Sequence, residues 1–332
     1  MQHIVSVLTA GALLLCASPV PAALDGTVTI DGSSTVYPIS EAVGEEFQRA
    51  NPKTRVTIGI AGTGGGFQRF CNGEIDVANA SRPITPVEVE ACKGKGVEYI
   101  ELPVAYDGLA VVVHPTNTWA DCITTKELAT LWAPAAQKTV TRWNQVRSAW
   151  PDKEIRLFGA GTDSGTYDYF AEAIVGKNAG TRGDFQASED DNVLVQGVAS
   201  DPLALGFFGL AYYEENMQKL KLLAVDDENP ANGAGCIRPT LETVGNGTYQ
   251  PLSRPLFLYV KKAAADRPVV NAFVSFYLEQ AATLAKEVGY IPFPHDAYAL
   301  LRKRFESRTT GTIFGASSSV GVTITELLKR EQ

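Results

Sequence analysis

Small hydroxylated residues and glycines cluster in three short segments of this chain, and residues of these types hydrogen-bond well to anions. The segments are 31–38 (DGSSTVYP), 62–67 (GTGGGF) and 159–166 (GAGTDSGT). Each offers hydroxyl groups and accessible backbone N–H groups, and a helix that starts there adds a favourable field for negative charge. One such loop is also typical of an ordinary strand-to-helix turn. Three of them together predict a common site for a desolvated tetrahedral oxyanion.

A predicted strand precedes each of these loops, and a predicted helix follows it. The strand patterns cover residues 26–30, 55–58 and 154–158. Apolar residues at helical spacing follow each loop. The sequence therefore predicts that the three loops are the beginnings of three helices, with free N–H groups at the site.

The alternation of strands and helices continues through most of the chain. Residues 75–80 and 96–100 are predicted strands, and Pro86 is placed at the first turn of a helix. This order predicts an α/β fold with a doubly wound sheet, whose ligands bind at the carboxyl ends of the strands. Two strongly apolar strands, 102–113 and 256–260, are predicted to cross from one domain to the next and back.

The C-terminal part of the sequence is predicted to be helical and then irregular. Helices are expected over residues 268–278 and 281–288. The segment 306–332 is rich in Ser, Thr and Gly and then becomes charged. We expect it to be an appended tail of low order.

Length and charge limit the possible functions. The chain has 332 residues, which allows two domains. Its formal net charge of −8 argues against nucleic acid as a partner, because phosphate contacts along a nucleic acid require a basic face. An anionic small ligand remains compatible, because exposed charges beyond about 8–10 Å are screened and the local site decides.

The N-terminus resembles a secretion signal. Residues 4–20 form an apolar run, and small residues favour cleavage after Ala22, so residues 1–22 are predicted to be a signal peptide. A lipid anchor at Cys16 is the less favoured alternative, because Leu15 stands where a small residue is expected. No other stretch has the ~18 apolar residues of a membrane span.

The remaining cysteines are even in number, which in an exported protein indicates two disulfide bonds. Three pairings are possible, and we favour Cys71–Cys92 together with Cys122–Cys236. The first would join the ends of two predicted helices. A zinc site is the alternative, but the sequence has no C-x-x-C pair and few histidines. No metal is predicted.

Catalytic patterns are incomplete. A hydrolase built on Ser164 would need a histidine, and His114 and His295 both neighbour prolines in predicted surface loops. The segment 163–166 matches one half of an aspartic-protease pair, but no second copy exists. The loop at 62–67 lacks the residues of a nucleotide-binding fingerprint. The sequence therefore predicts binding without turnover and without a cofactor.

Arg82 is the predicted cation of the site. It follows the end of the strand at 75–80, beside Ser81, at the edge of the sheet where ligands bind. A guanidinium group forms forked hydrogen bonds to phosphate-like anions. The alternative is an ordinary surface ion pair.

These motifs resemble those of the phosphate-binding proteins of ABC transporters, the PstS family. The resemblance rests on residues 31–38, 62–67, 79–83, 162–166 and 206–209. It implies a two-lobed periplasmic-binding-protein fold (type II), in which each lobe is a doubly wound mixed sheet flanked by helices and two crossing strands join the lobes. It also implies hinge closure on inorganic phosphate, a periplasmic location, a monomer, and delivery of phosphate to a membrane permease. A phosphate sensor or an adhesion-type protein on the same fold is the alternative.

The expected organisation follows from this resemblance. Residues 23–105 and 256–310 would form lobe I, residues 106–255 lobe II, and residues 311–332 a C-terminal tail. Phosphate would be held by donors from both lobes: Ser34, Thr35, Thr63, Gly64, Ser164, Gly165 and Thr166.

The sequence departs from the family pattern at two charged positions. Many members carry an Asp where Arg82 stands, which accepts the proton of hydrogen phosphate, and an Arg where Ala160 stands. We therefore expect Arg82 to be the main charge partner of the anion. Asp163 is the nearest candidate for the proton acceptor, although a turn or helix-capping role suits it as well.

Overall fold

The computed structural model describes residues 24–177, 179–314 and 320–322. The predicted signal peptide and Cys16 lie outside the described residues. In the described part of the chain, no helix has both the length and the apolar character needed to cross a membrane.

A mixed sheet forms the centre of the molecule. The described strands are β1 (Gly26–Gly32), β2 (Thr54–Ile58), β3 (Val77–Ala80), β4 (Tyr99–Val113), β5 (Cys122–Thr124), β6 (Arg156–Ala160), β7 (Gln186–Ser188), β8 (Ala204–Gly209), β9 (Lys221–Leu222), β10 (Ala224–Asp226) and β11 (Ser253–Lys261). The strand order of the sheet is β2-β1-β3-β11-β4-β8-β6-β7, with β9 paired to β4, and β10 and β5 form a separate pair.

Helices cover the faces of this sheet. A 3₁₀ turn at Pro134–Ala136 and a π-helical turn at Ala171–Val175, which continues the helix Gly165–Phe170, complete the described elements. The helices are α1 (Tyr37–Ala50), α2 (Gly62–Cys71), α3 (Pro86–Gly94), α4 (Thr125–Trp132), α5 (Trp143–Val146), α6 (Gly165–Phe170), α7 (Asp191–Ser200), α8 (Leu210–Glu214), α9 (Leu241–Gly245), α10 (Lys262–Ala265), α11 (Pro268–Glu287) and α12 (His295–Glu306).

Two long strands connect the halves of the sheet, which confirms the predicted two-lobed fold. Strand β4 is buried along its whole length. Its first part, Tyr99–Gly108, pairs with β11, and its last part, Leu109–Val113, pairs with β8. One lobe therefore carries β1–β3, the other carries β6–β8, and β4 and β11 pass between them. This strand order supports the lobe boundaries given above, which we retain as a proposal.

The prediction of separate strands over 96–100 and 102–113 is wrong, because β4 is continuous. Pro103 lies inside it, and the β11 register shifts between Leu256 and Phe257, opposite Pro103. A bulge of this kind accommodates a proline that cannot donate to the ladder.

The prediction of two helices over 268–278 and 281–288 is also wrong, because α11 runs unbroken through both. The residues between Leu278 and Ala281 are Glu279 and Gln280, which are good helix formers and do not interrupt the apolar face. That face packs on α1, where the rings of Phe47 and Phe273 meet edge to face at 5.3 Å.

Both favoured disulfide bonds are present. Cys71–Cys92 joins the end of α2 to α3, with 4.3 Å between the Cα atoms. Cys122–Cys236 joins β5 to a residue 114 positions further along the chain.

The described part of the C-terminal segment is packed, so the expectation of low order is wrong for these residues. The Phe314 ring is 2% exposed and meets Phe257 edge to face at 5.5 Å. The backbone N–H of Ile313 donates to Glu101 at 2.6 Å, and the Tyr106 hydroxyl donates to the carbonyl of Val322 at 2.6 Å. These described residues therefore lie over the crossing strands.

Candidate functional site

Three loops of the first lobe meet at the carboxyl ends of the parallel strands β1, β2 and β3. The Ser33 hydroxyl donates to the Ser81 hydroxyl at 2.9 Å, and the Thr63 and Ser81 hydroxyls are 3.3 Å apart. Asp31 ties the first two loops together, because one of its carboxylate oxygens accepts from the N–H groups of Gly32 at 2.8 Å and Ala61 at 3.0 Å. A buried patch of hydroxyl groups results.

The start of α6 in the second lobe lies directly against this patch. The Gly64 N–H donates to the Asp163 carbonyl at 2.8 Å. A Cβ atom on Gly165 would come within 2.5 Å of the Thr63 hydroxyl and 2.6 Å of the Ser81 hydroxyl, so only glycine allows this approach. Ser164 caps α6 by accepting from the Thr166 N–H at 3.1 Å.

Arg254 lies at the point where the two lobes meet. Its side chain is fully buried. Nη2 lies 3.1 Å from the Thr35 hydroxyl, 2.9 Å from the Thr166 hydroxyl and 3.0 Å from Asp107. Nη1 is buried and has no hydrogen-bond partner among the described residues. Because an unpaired buried donor on a cation is costly, this nitrogen marks a place for an anion.

Two buried carboxylates flank Arg254. Burial raises the pKa of Asp107 to about 6, although Arg254 opposes the shift. Burial raises the pKa of Asp191 to about 7, and the negative charge of Asp107 adds to that rise while Arg254 again opposes it. One Asp191 oxygen is 3.5 Å from the Ser34 hydroxyl, and the other accepts from the Gly209 N–H at 3.4 Å. The site thus contains a carboxyl group that can exchange a proton near neutral pH.

Arg82 lies beside the hydroxyl patch, but its guanidinium group is already paired. Nη1 and Nη2 each donate to Glu88 at 2.8 Å. Nε donates to Asp168 at 2.5 Å. With both forks of the guanidinium occupied by carboxylates, the geometry favours Arg254 over Arg82 as the cation of the site.

Asp163 lies at the rim. Its side chain is exposed, and its backbone N–H donates to Glu189 at 3.2 Å. An exposed carboxylate keeps its own water and is poorly placed to accept a proton from a desolvated ligand. The buried Asp191 has the better position for that role.

The structure therefore brings together most of the residues that the sequence suggested. Ser34, Thr35 and Thr166 lie at the Arg254 centre, and the hydroxyl patch contains Thr63 with Gly64 and Gly165 next to it. Sequence reasoning missed Arg254, Asp107, Asp191 and Ser81 as parts of the site. A signal existed, because Arg254 and Asp107 are isolated charges in or beside the two apolar crossing segments.

Comparison with known proteins places this chain in a family. A sequence model of the PBP superfamily domain matches residues 17–281. Protein SphX of Synechococcus elongatus is 56% identical over 304 residues, which make up 92% of this chain and 88% of that protein. The phosphate-binding protein PstS of Staphylococcus epidermidis is 36% identical over 278 residues, 83% of this chain and 81% of that protein.

Two solved structures are similar to this chain. A possible phosphate binding protein from Planctomyces limnophilus is 47% identical, with a TM-score of 0.63, and the match covers 86% of this chain and 99% of that chain. A putative phosphate ABC transporter substrate-binding protein from Clostridium perfringens, solved with bound phosphate, is 23% identical and shows the same fold at a TM-score of 0.67, over 81% of this chain and 100% of that chain. The chain belongs to the PBP superfamily and, within it, to the PstS family.

Proposed function

We propose that this protein binds inorganic phosphate outside the cytoplasm and delivers it to the permease of an ABC-type importer. The observation that carries the proposal is the buried Nη1 of Arg254, which has no partner among the described residues. The other terminal nitrogen, Nη2, lies 3.1 Å from the hydroxyl of Thr35, just before α1, and 2.9 Å from that of Thr166, in the first turn of α6. A tetrahedral oxyanion supplies acceptors for that nitrogen and for the surrounding hydroxyl and N–H groups. The PstS relatives named as phosphate-binding proteins support this choice of anion.

The number of donors is sufficient for tight binding. Hydrogen bonds to a charged group contribute about 1.5–3 kcal/mol each, and micromolar affinity requires roughly 8 kcal/mol. Arg254, the Thr35 and Thr166 hydroxyls and the N–H groups at the start of α6 reach that value without a metal. We propose these as the principal ligands, with Ser34, Thr63, Gly64, Ser164 and Gly165 completing the shell.

Asp191 is the proposed proton partner of the ligand. Hydrogen phosphate needs an acceptor for its proton, whereas a fully ionised anion such as sulfate would meet an ionised carboxylate as a repulsive group. Asp191 is buried, lies beside Ser34 and is not in an ion pair in the described structure, whereas Asp107 pairs with Arg254. We therefore propose Asp191, and not Asp163, as the acceptor of the phosphate proton.

Binding without turnover fits the surroundings of Ser164. Its hydroxyl accepts a hydrogen bond as the cap of α6. In the described part of the chain no histidine hydrogen-bonds to it, and His114 pairs with Thr116 instead. The hydrolase alternative therefore has no structural support, and a sensor or adhesion role on the same fold has no observation of its own.

The apolar N-terminus supports export through a signal peptide into the periplasm. Two disulfide bonds support an oxidising compartment. We propose a monomer whose partner is the membrane permease.

Calorimetric titration of the metal-free protein with phosphate, arsenate and sulfate tests the function. Phosphate should bind with a Kd in the micromolar range or below. Arg254→Lys should keep a positive charge beside the Asp107 carboxylate. It should lose the planar guanidinium group and weaken phosphate binding at least tenfold. Arg156→Lys, at an exposed ion pair with Glu154, is the matched control. No phosphate binding by the wild-type protein, or unchanged binding by Arg254→Lys, would refute the proposal.

A further inference from the structure

Arg82 connects the two lobes at the edge of the site. It follows β3 in the first lobe, and its side chain is only 11% exposed. Its guanidinium carbon lies 5.6 Å from the centre of the Phe67 ring, which covers one side of the group. The side chain is therefore largely buried, between its own lobe and α6.

Within the first lobe, Arg82 is fixed by Glu88. The two terminal nitrogens form a forked pair with the Glu88 carboxylate, and Nη1 also donates to the Pro83 carbonyl at 3.1 Å. Glu88 is held in turn by the capping box of α3, where it accepts from the N–H of Thr85 at 2.8 Å. This arrangement fixes the direction in which Nε of Arg82 points.

Nε points at Asp168 in the second lobe. Asp168 lies in the first turn of α6, whose N-terminal residues Gly165 and Thr166 are part of the proposed phosphate site. Burial raises the pKa of Asp168, and the charge of Arg82 opposes that rise. The Arg82–Asp168 pair thus holds the phosphate-binding helix against the first lobe.

We propose that Arg82 is a latch that holds the two lobes closed through Asp168, and not a ligand of the anion. This inference rests on the proposed function, since it assigns the ion pair to the closed, phosphate-holding state. Opening the lobes separates the pair, and Arg82 then stays with Glu88 while Asp168 is left near the helix N-terminus. The latch lowers the rate of phosphate release without touching phosphate.

The substitution Asp168→Asn distinguishes a latch from a phosphate ligand, because the two roles of Arg82 predict opposite changes in phosphate affinity. If Arg82 bound phosphate directly, removing a competing carboxylate from its guanidinium group would leave binding unchanged or make it tighter. If Arg82 is a latch, Asp168→Asn removes the Arg82–Asp168 pair. The closed state is then less populated, and phosphate binds about fivefold more weakly with faster release. Arg82→Ala cannot make this distinction, because both roles predict weaker binding.

Two further variants complete the design. Arg82→Lys keeps the positive charge but cannot reach Glu88 and Asp168 together, so the latch predicts a similar loss. Glu172→Gln removes the same charge four residues after Asp168, at a position with no ion-pair partner in the described structure, and should bind like the wild type.

Lobe closure is measured directly with spin labels on Val87→Cys and Val193→Cys, one in each lobe, at sites that are 80% and 56% exposed. Asp168→Asn should add a population with a longer label distance, both without phosphate and at saturation. Equal distances and equal or tighter phosphate binding would overturn the latch. If the wild-type protein fails to bind phosphate, the proposed function fails, while the distances without phosphate still test the latch.

Discussion

The hydroxyl groups of Thr35 and Thr166 lie 3.1 Å apart, although 131 residues separate them in the chain and they belong to different lobes. Both are buried, and both are within 3.1 Å of the same nitrogen of Arg254. Arg254 itself comes from β11, one of the two strands that connect the lobes. The cation of the site is therefore fixed to the connection, while each lobe brings one threonine to it.

Thr35→Val and Thr166→Val should each weaken phosphate binding about tenfold. The change removes one hydroxyl donor at nearly constant volume, and a hydrogen bond to a charged group contributes about 1.5–3 kcal/mol. Titration calorimetry on both single variants and on the double variant measures the loss and any coupling between the lobes. Thr130→Val, on the exposed side of α4, is the control, and the idea fails if the two site variants match it.

Asp191→Asn should remove the discrimination against sulfate. Sulfate carries no proton near neutral pH, so it can enter the wild-type site only when Asp191 is protonated. Because burial raises the pKa of Asp191 to about 7, direct sulfate binding, measured by calorimetry without phosphate, should weaken by up to tenfold per pH unit above that value. In Asp191→Asn direct sulfate binding should be stronger and nearly independent of pH between 6 and 8, because sulfate does not titrate there.

The neighbouring Asp190 provides the control for this experiment. It is the N-cap of α7 and accepts from the Asn192 N–H at 2.9 Å. Asn caps a helix as well as Asp does, so Asp190→Asn should keep α7 intact and keep a steep pH profile. The profile should shift only to somewhat lower pH, because the charge of Asp190 contributes to the raised pKa of Asp191. A steep profile that persists in Asp191→Asn would assign the discrimination to another group.

The same carboxyl group should make the phosphate-free protein less stable as the pH rises. The native pKa of Asp191 is about 7, compared with 3.8 for an unperturbed Asp, so the native state binds the proton more tightly than the unfolded state. Its stabilising contribution is complete below about pH 4 and is lost as the pH rises to 7. The loss is at most roughly 4 kcal/mol, at about 1.4 kcal/mol per pH unit.

Urea unfolding of the wild-type protein and of Asp191→Asn between pH 4 and 8, without phosphate, measures how the free energy of unfolding changes with pH. The variant should gain stability relative to the wild type as the pH rises. A constant difference in the free energy of unfolding over that range would contradict the prediction.

The sequence predicted the elements and the loops of the site because these depend on local patterns. The apolar spacing of Ile39, Val43 and Phe47 predicted the buried face of α1. The glycine and hydroxyl content of the loops marked three helix starts, and the structure brings them together at the edge of the sheet. Such patterns predict structure well because helical periodicity and helix starts depend on the conformation of the local backbone.

The charges of the site could not be assigned from local patterns, because pairing across the sheet decides them. Residues 251–255 contain two prolines and therefore predict an interruption between secondary-structure elements. In the structure, however, Arg254 belongs to β11 and pairs with Asp107 on β4. Arg82 looked like the free cation, but Glu88 and Asp168 already hold it. Which arginine faces an anion depends on the carboxylates that tertiary structure places beside each one.

Substituting Phe314 tests the packing of the C-terminal segment. Phe314→Ala should lower the free energy of unfolding by about 3 kcal/mol, because the ring is buried against Phe257 and truncation leaves a cavity. Phosphate affinity should stay the same, because Phe314 is not one of the proposed ligands. Urea unfolding and calorimetry measure the two effects separately. Val87→Ala, at a site that is 80% exposed, is the control for truncation of a surface side chain. If Phe314→Ala were as neutral as Val87→Ala, the segment would be an appendage and not part of the packing over the crossing strands.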